Sequence, residues 1–103
     1  MPVSKKFMKK KDQFNCTFRV PKKEAHGANK ICLVGEFNEW KTDSMPMTAL
    51  KNGDFKIDIQ LQPGKTYQYR YLVDDKEWQN DIKADAYWPI PEFSVDNSVI
   101  NVM

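Results

Sequence analysis

The sequence has few of the residues that build metal and redox sites. It contains one histidine, His26, and two cysteines, Cys16 and Cys32, whose spacing is not that of a metal site. A single histidine cannot complete a metal centre, so we expect no metal and no cofactor. Both cysteines lie inside strand-like segments, and we interpret them as small buried side chains, with a disulfide as the less favoured alternative.

Long apolar stretches are also missing. No apolar run approaches the length that spans a bilayer, and the mean hydropathy of −0.69 argues against a membrane protein. Residues 1–12 are basic but lack the apolar stretch of a secretory signal. We therefore expect a cytoplasmic protein, and 103 residues allow one domain with one core.

Charge is unevenly distributed, although the formal net charge is only +2. Residues 1–30 hold nine of the 16 Lys and Arg and two of the 14 Asp and Glu, so the remainder is acidic. A basic arm of this kind can bind nucleic acid. Residues 1–12 carry one aromatic residue and no arginine, so we instead expect a solvated, partly disordered tail before a single domain over 13–103.

Short strand patterns recur along the chain, either alternating or continuously apolar. They cover residues 14–20, 31–34, 55–61, 66–73 and 98–102, with a further short piece near Met47–Lys51. Asn52-Gly53 predicts a hairpin, and we expect a long loop over residues 80–93. Because no segment has a helical period, six or seven short strands predict an all-β sandwich.

Two tryptophans stand in polar surroundings just past predicted strands. Trp40 follows the apolar run 31–34 and lies between Glu39 and Lys41, and Trp78 follows the strand over 66–73. Tryptophans at such positions suggest flat apolar platforms, and a sugar ring is the obvious ligand.

The strand over residues 66–73 places its tyrosines and Val73 on one face and Arg70 on the other. The tyrosine face predicts the core, so Arg70 projects outward and could share a surface with Trp78. A solvated sheet residue is the simpler interpretation of Arg70, and Trp78 could equally cover the end of the core.

Four segments together resemble carbohydrate-binding module family 48. They are Gly35–Trp40, Pro63–Asp74, Trp78 and Asp96–Val102, and they occur in the family's order. The family includes the glycogen-binding module of the AMP-activated protein kinase β subunit and the N-terminal early-set domain of isoamylases and branching enzymes. The resemblance covers roughly residues 14 to 102 and implies an immunoglobulin-like (early-set) sandwich of about seven strands.

The resemblance also implies sugar-binding roles for individual residues. Trp40 and Trp78 match the family's two stacking platforms, and Arg70 matches a basic residue that hydrogen-bonds sugar hydroxyls. Phe93 matches an apolar residue that packs against the sugar, and Asn97 matches an asparagine that hydrogen-bonds the glucan.

The chain departs from the family pattern near its last strand. Val95 stands where the family often has threonine, and the loop between Trp78 and Asn97 is longer and carries Trp88. Trp88 is a candidate extra contact with the sugar. A hydrophobic plug beneath the loop is an equal alternative.

The resemblance implies a non-catalytic module that binds glycogen and other α-1,4-glucans, with a glycogen-metabolising enzyme as a candidate partner. The alternative is a protein-interaction domain that docks such an enzyme without binding sugar. Asp81 and Asp85 are the nearest approach to a carboxylate pair, and we expect solvated loop acids rather than a glycosidase site. The acidic balance beyond residue 30 argues against nucleic acid.

Overall fold

The structure, a computed structural model, describes residues 4–91 and 95–102. In these ranges the chain forms nine strands, one turn of α-helix (α1, Lys22–Ala25) and one 3₁₀ helix (Glu36–Asn38). The strands are β1 (Ser4–Met8), β2 (Gln13–Val20), β3 (Ile31–Gly35), β4 (Thr48–Ala49), β5 (Phe55–Leu61), β6 (Lys65–Val73), β7 (Glu77–Gln79), β8 (Ala86–Ile90) and β9 (Val95–Val102). No helix among the described residues is long and apolar enough to cross a membrane.

Two antiparallel sheets pack face to face. The first has the strand order β1-β2-β5-β4, and the second has the order β3-β6-β9-β8, with β7 pairing with the end of β6. Their inner faces supply one core, to which β2, β3, β5, β6 and β9 all contribute. The predicted all-β sandwich is therefore confirmed, with more strands than the seven expected.

Aromatic rings dominate the centre of the core. The ring of Phe18 from β2 meets the ring of Tyr69 from β6 edge-on at 5.0 Å, and Phe37 packs beside both. Tyr69 and Tyr71 are buried, while Arg70 lies on the opposite face of β6, as the alternation predicted. Such ring pairs add stability beyond their buried area.

Asp81 is a buried carboxylate that anchors the segment after β7 to the core. Its Oδ2 accepts hydrogen bonds from the hydroxyls of Tyr69 (2.7 Å) and Tyr71 (3.2 Å), and its Oδ1 accepts one from the backbone N–H of Lys83. Ser98 Oγ accepts the backbone N–H of Asp81. The prediction of a solvated loop acid is wrong for Asp81, because these donors replace water around the buried charge.

Asp85 ties the N-terminal strand to the other sheet. Its Oδ2 lies 2.6 Å from Lys5 Nζ on β1 and accepts the backbone N–H of Asn101 on β9. The ring of Phe7 also packs against Phe14, with centroids 5.1 Å apart. The expected disorder is therefore wrong for residues 4–8, because an ion pair and an aromatic contact hold them on the sheet. The boundary after residue 12 stays a prediction.

Residues 80–93, expected to form one long loop, contain β8. This strand pairs with β9 at the edge of its sheet, and its register sets Pro89 opposite Asp96. An edge strand accepts proline, because one of its sides needs no backbone donor. The short helix α1 follows directly after Pro21, at the end of β2.

The two cysteines are free and buried. Cys16 belongs to the core between the sheets, whereas Cys32 packs with Val34 and Leu72 in a separate apolar cluster. Burial raises the pKa of both thiols above the ordinary value. The interpretation as small buried side chains is confirmed.

Replacing Gly35 by alanine is expected to destabilise the fold by about 1–3 kcal/mol, because overpacking strains a filled site. An added Cβ would lie 2.6 Å from the carbonyl oxygen of Gln68 and 2.7 Å from Tyr69 Cβ. Urea unfolding measures the change. Gly64→Ala is the control, since open space surrounds Gly64 and only its φ of +78° opposes a side chain, which costs about 1 kcal/mol. Equal losses in the two variants would contradict the packing argument.

Stability is expected to fall as pH rises above about 10, the ordinary tyrosine pKa. Burial raises the pKa of Tyr69 and Tyr71, and the Asp81 carboxylate adds to the effect. Above that pH the native state holds protons that the unfolded chain releases, so the stabilisation is complete below the unfolded pKa and is lost at higher pH. Unfolding midpoints across this range, with tyrosinate absorbance, test this. Ionisation of all four tyrosines in the folded protein would contradict it.

Candidate functional site

An open cleft on the outer face of the second sheet gathers four of the predicted site residues. Its volume is about 410 Å³, and it is lined by Trp40, Arg70, Trp78, Ile90, Val95 and Asn97. Indole and hydrocarbon groups form most of this lining, with a guanidinium and an amide as the polar groups. The arrangement suits a ligand that has both apolar and hydroxyl-bearing faces.

The backbone before the cleft turns sharply to bring Trp40 into it. Glu39 and Trp40 both adopt left-handed conformations, with φ of 56° and 58°. The N–H of Trp40 donates to the carbonyl oxygen of Gly35 over 2.9 Å. Bulky residues rarely adopt this left-handed backbone conformation, so the turn is strained. The strained conformation sets the direction in which the Trp40 indole points.

Asn38 holds this turn in place through its side-chain amide. Its Oδ1 accepts the backbone N–H of Gly35 at 3.0 Å. Its Nδ2 lies within hydrogen-bonding distance of the carbonyl oxygens of Leu33 and Lys41 and of Ser44 Oγ. One short side chain therefore joins the end of β3 to both arms of the loop that carries Trp40.

Arg70 brings an unpartnered donor to the cleft. Its Nη2 donates to the carbonyl oxygen of Asp96 at 3.2 Å, and Asn80 donates to the same oxygen. Arg70 Nε is buried and has no hydrogen-bond partner among the described residues. A buried donor without a partner costs about 1–3 kcal/mol, and the described residues leave this cost uncompensated at Arg70 Nε.

Trp78 and Asn97 complete the part of the site that the sequence predicted. Trp78 lies in β7 opposite Leu72 and is 46% exposed, and Trp40 is 38% exposed. Asn97 is buried, and its Nδ2 donates to Gln68 Oε1 at 3.0 Å. This bond fixes the orientation of the Asn97 amide beside Arg70.

Two apolar residues of the cleft were missed as site residues. Ile90 and Val95 face each other in the β8–β9 register and close one side of the cleft. The alternation of Ala86, Trp88 and Ile90 is the signal that could have revealed the strand. Phe93, the predicted apolar contact, lies outside the described residues.

Trp88 lies on the same sheet face but outside the cleft lining. It stands opposite Asn97 in the β8–β9 register, so the two side chains point to the same side. Its side chain is 43% exposed, which does not fit a plug buried beneath a loop.

Comparison with known proteins gives one family. A family model described as the glycogen recognition site of AMP-activated protein kinase matches residues 23–87, which is more than half of the chain. The matched segment contains Trp40, Arg70 and Trp78 and ends before Asn97. A search of curated proteins gives no match.

Replacing Asn38 by alanine is expected to loosen the turn that carries Trp40, because four polar contacts are lost. We expect a loss of about 1–3 kcal/mol in unfolding free energy and stronger acrylamide quenching of Trp40. Quenching is measured with phenylalanine at positions 78 and 88, so that Trp40 alone reports. Asn52→Ala, in an exposed turn, is the control and should leave quenching unchanged. Unchanged quenching in Asn38→Ala would contradict the role of Asn38.

Proposed function

Because the chain belongs to the family of the glycogen recognition site of AMP-activated protein kinase, we propose that it is a non-catalytic module that binds α-1,4-glucans such as glycogen and maltooligosaccharides. The observation that carries the proposal is the cleft that unites Trp40, Arg70, Trp78 and Asn97. These residues come from four separate segments of the chain.

Each residue has a defined role in this proposal. The apolar faces of two glucose rings pack on the indoles of Trp40 and Trp78. Arg70 donates from its terminal guanidinium nitrogens to sugar hydroxyls, and Asn97 hydrogen-bonds a neighbouring hydroxyl. Val95 offers only hydrocarbon where threonine is common in the family, so that contact is apolar.

The balance of energies favours weak binding. A pyranose covering about 100 Å² of an indole gains roughly 2–3 kcal/mol. Each net hydrogen bond adds about 1 kcal/mol, against the cost of association and of ordering a flexible chain. A Kd of roughly tens of micromolar to millimolar follows. Such a module works best on a polymer with many sites, which supports a role in bringing a glycogen-metabolising enzyme to its substrate.

The absence of catalysis is part of the proposal. No carboxylate is among the described residues that line the cleft. Asp81 faces the core, where it is held by tyrosine hydroxyls, and Asp85 pairs with Lys5. Glycoside hydrolysis needs two carboxyl groups facing the scissile bond, and residues 4–91 and 95–102 bring no such pair to the cleft.

We also propose that the module works in the cytoplasm. The glycogen-recognition family supports this location. The two free, buried thiols of Cys16 and Cys32 are in keeping with a reducing compartment.

Tryptophan fluorescence and calorimetric titration with maltoheptaose test the proposal. We expect saturable binding, with no binding of cellohexaose, whose β-linked chain is straighter. Trp40→Ala and Trp78→Ala should each weaken binding by at least about tenfold, because each removes a platform worth roughly 2–3 kcal/mol.

Ile82→Ala is the matched control, because Ile82 is exposed and apolar but does not line the cleft. It should leave the affinity unchanged. If folded wild-type protein binds no α-glucan at millimolar concentration, the proposal fails. The exposed tryptophan surface would then favour the docking of a protein partner.

A further inference from the structure

One row of side chains crosses the outer face of the second sheet. Val34 of β3 stands opposite Arg70 of β6, and Asn97 of β9 stands opposite Trp88 of β8. The register between β6 and β9 places Asn97 beside Arg70. Arg70, Asn97 and Trp88 therefore follow one another across three adjacent strands, on the side of the sheet that carries the cleft.

The direction of Trp88 is fixed by its neighbours on β8. Tyr87 points to the other face, where its hydroxyl donates to the backbone carbonyl oxygen of Asp81. On the Trp88 face, Ile90 pairs with Val95 at the cleft wall. With Tyr87 and Ile90 both engaged, the indole of Trp88 is held outward beside Asn97.

The exposure of Trp88 is similar to that of the two cleft tryptophans. Trp40, Trp78 and Trp88 are 38%, 46% and 43% exposed, and none of the three belongs to the buried core. Leaving a large apolar ring on a sheet face forfeits the hydrophobic gain of burial. Such a ring beside the polar residues of a binding cleft is well placed to contact a ligand that extends beyond it.

We propose that Trp88 is a third stacking platform, which extends the α-glucan site along the edge strand β8 beyond Ile90 and makes the module prefer longer chains. The proposal rests on the function proposed above. Ile90 lines the cleft, and Trp88 lies two residues before it on the same face of β8, about 7 Å further along the strand. A short oligosaccharide that fills the cleft does not reach the indole, whereas a longer chain crosses it.

The test compares maltotriose and maltoheptaose by calorimetry on the wild type and on Trp88→Thr and Trp88→Phe. Threonine keeps a β-branched residue in the strand, and phenylalanine keeps a ring. We expect Trp88→Thr to weaken maltoheptaose binding about tenfold and maltotriose binding less than about twofold, as for the loss of one remote platform. Trp88→Phe should retain most of the preference for the longer chain.

Two further measurements separate the outcomes. The indole N–H resonance of Trp88 in the wild type should shift with maltoheptaose and not with maltotriose, which tests the contact without any variant. Tyr87→Phe, which alters the other face of β8, should leave the length preference unchanged. Equal loss for both sugars, no loss for either, or an unmoved Trp88 resonance would overturn the third platform. Wild-type protein that binds neither sugar would overturn the proposed function as well.

Discussion

A single buried carboxylate organises the strands that carry most of the site. Asp81 accepts the hydroxyls of Tyr69 and Tyr71, whose strand carries Arg70 on its reverse face. Through its backbone, Asp81 also bonds to Ser98 of β9 and Tyr87 of β8, the strands of Asn97 and Trp88. A charge taken out of water is tolerated only when it is fully hydrogen-bonded, so these strands must keep their register for Asp81 to stay buried.

The loop that carries Trp40 is held by hydrogen bonds that are local in the sequence. A local amide, that of Asn38, over-determines a turn in which Glu39 and Trp40 adopt strained backbone conformations. The two halves of the cleft are thus built independently. One is a rigid sheet face fixed by long-range hydrogen bonds, and the other is a strained loop fixed from within its own sequence. The cleft forms where this sheet face and the Trp40 loop come together.

The sequence predicted what short-range patterns determine. The alternation of residues 66–73 separated the core tyrosines from Arg70, because successive side chains of a strand point to opposite faces. The burial of Asp81 was not predicted, because its hydrogen-bond partners lie elsewhere in the chain and no local pattern reveals them. Strand β8 was missed although the alternation of Ala86, Trp88 and Ile90 is a local signal for it. Ile90 and Val95 became neighbours only through that missed pairing. The polar surroundings of Trp40 and Trp78 marked both as site residues, and the family resemblance supplied Asn97, which no local pattern did.

The shape of the cleft has a consequence for how a polymer loads. The site lies along the outside of a sheet, Trp40 and Trp78 are part of its lining, and no strand or loop among the described residues covers it. A tunnel admits a chain only by threading a free end, whereas an open surface can receive a chain sideways at any internal stretch. On a branched polysaccharide whose chain ends are crowded, such sideways binding makes every exposed internal segment a binding site. Departure from one segment then leads readily to capture by the next.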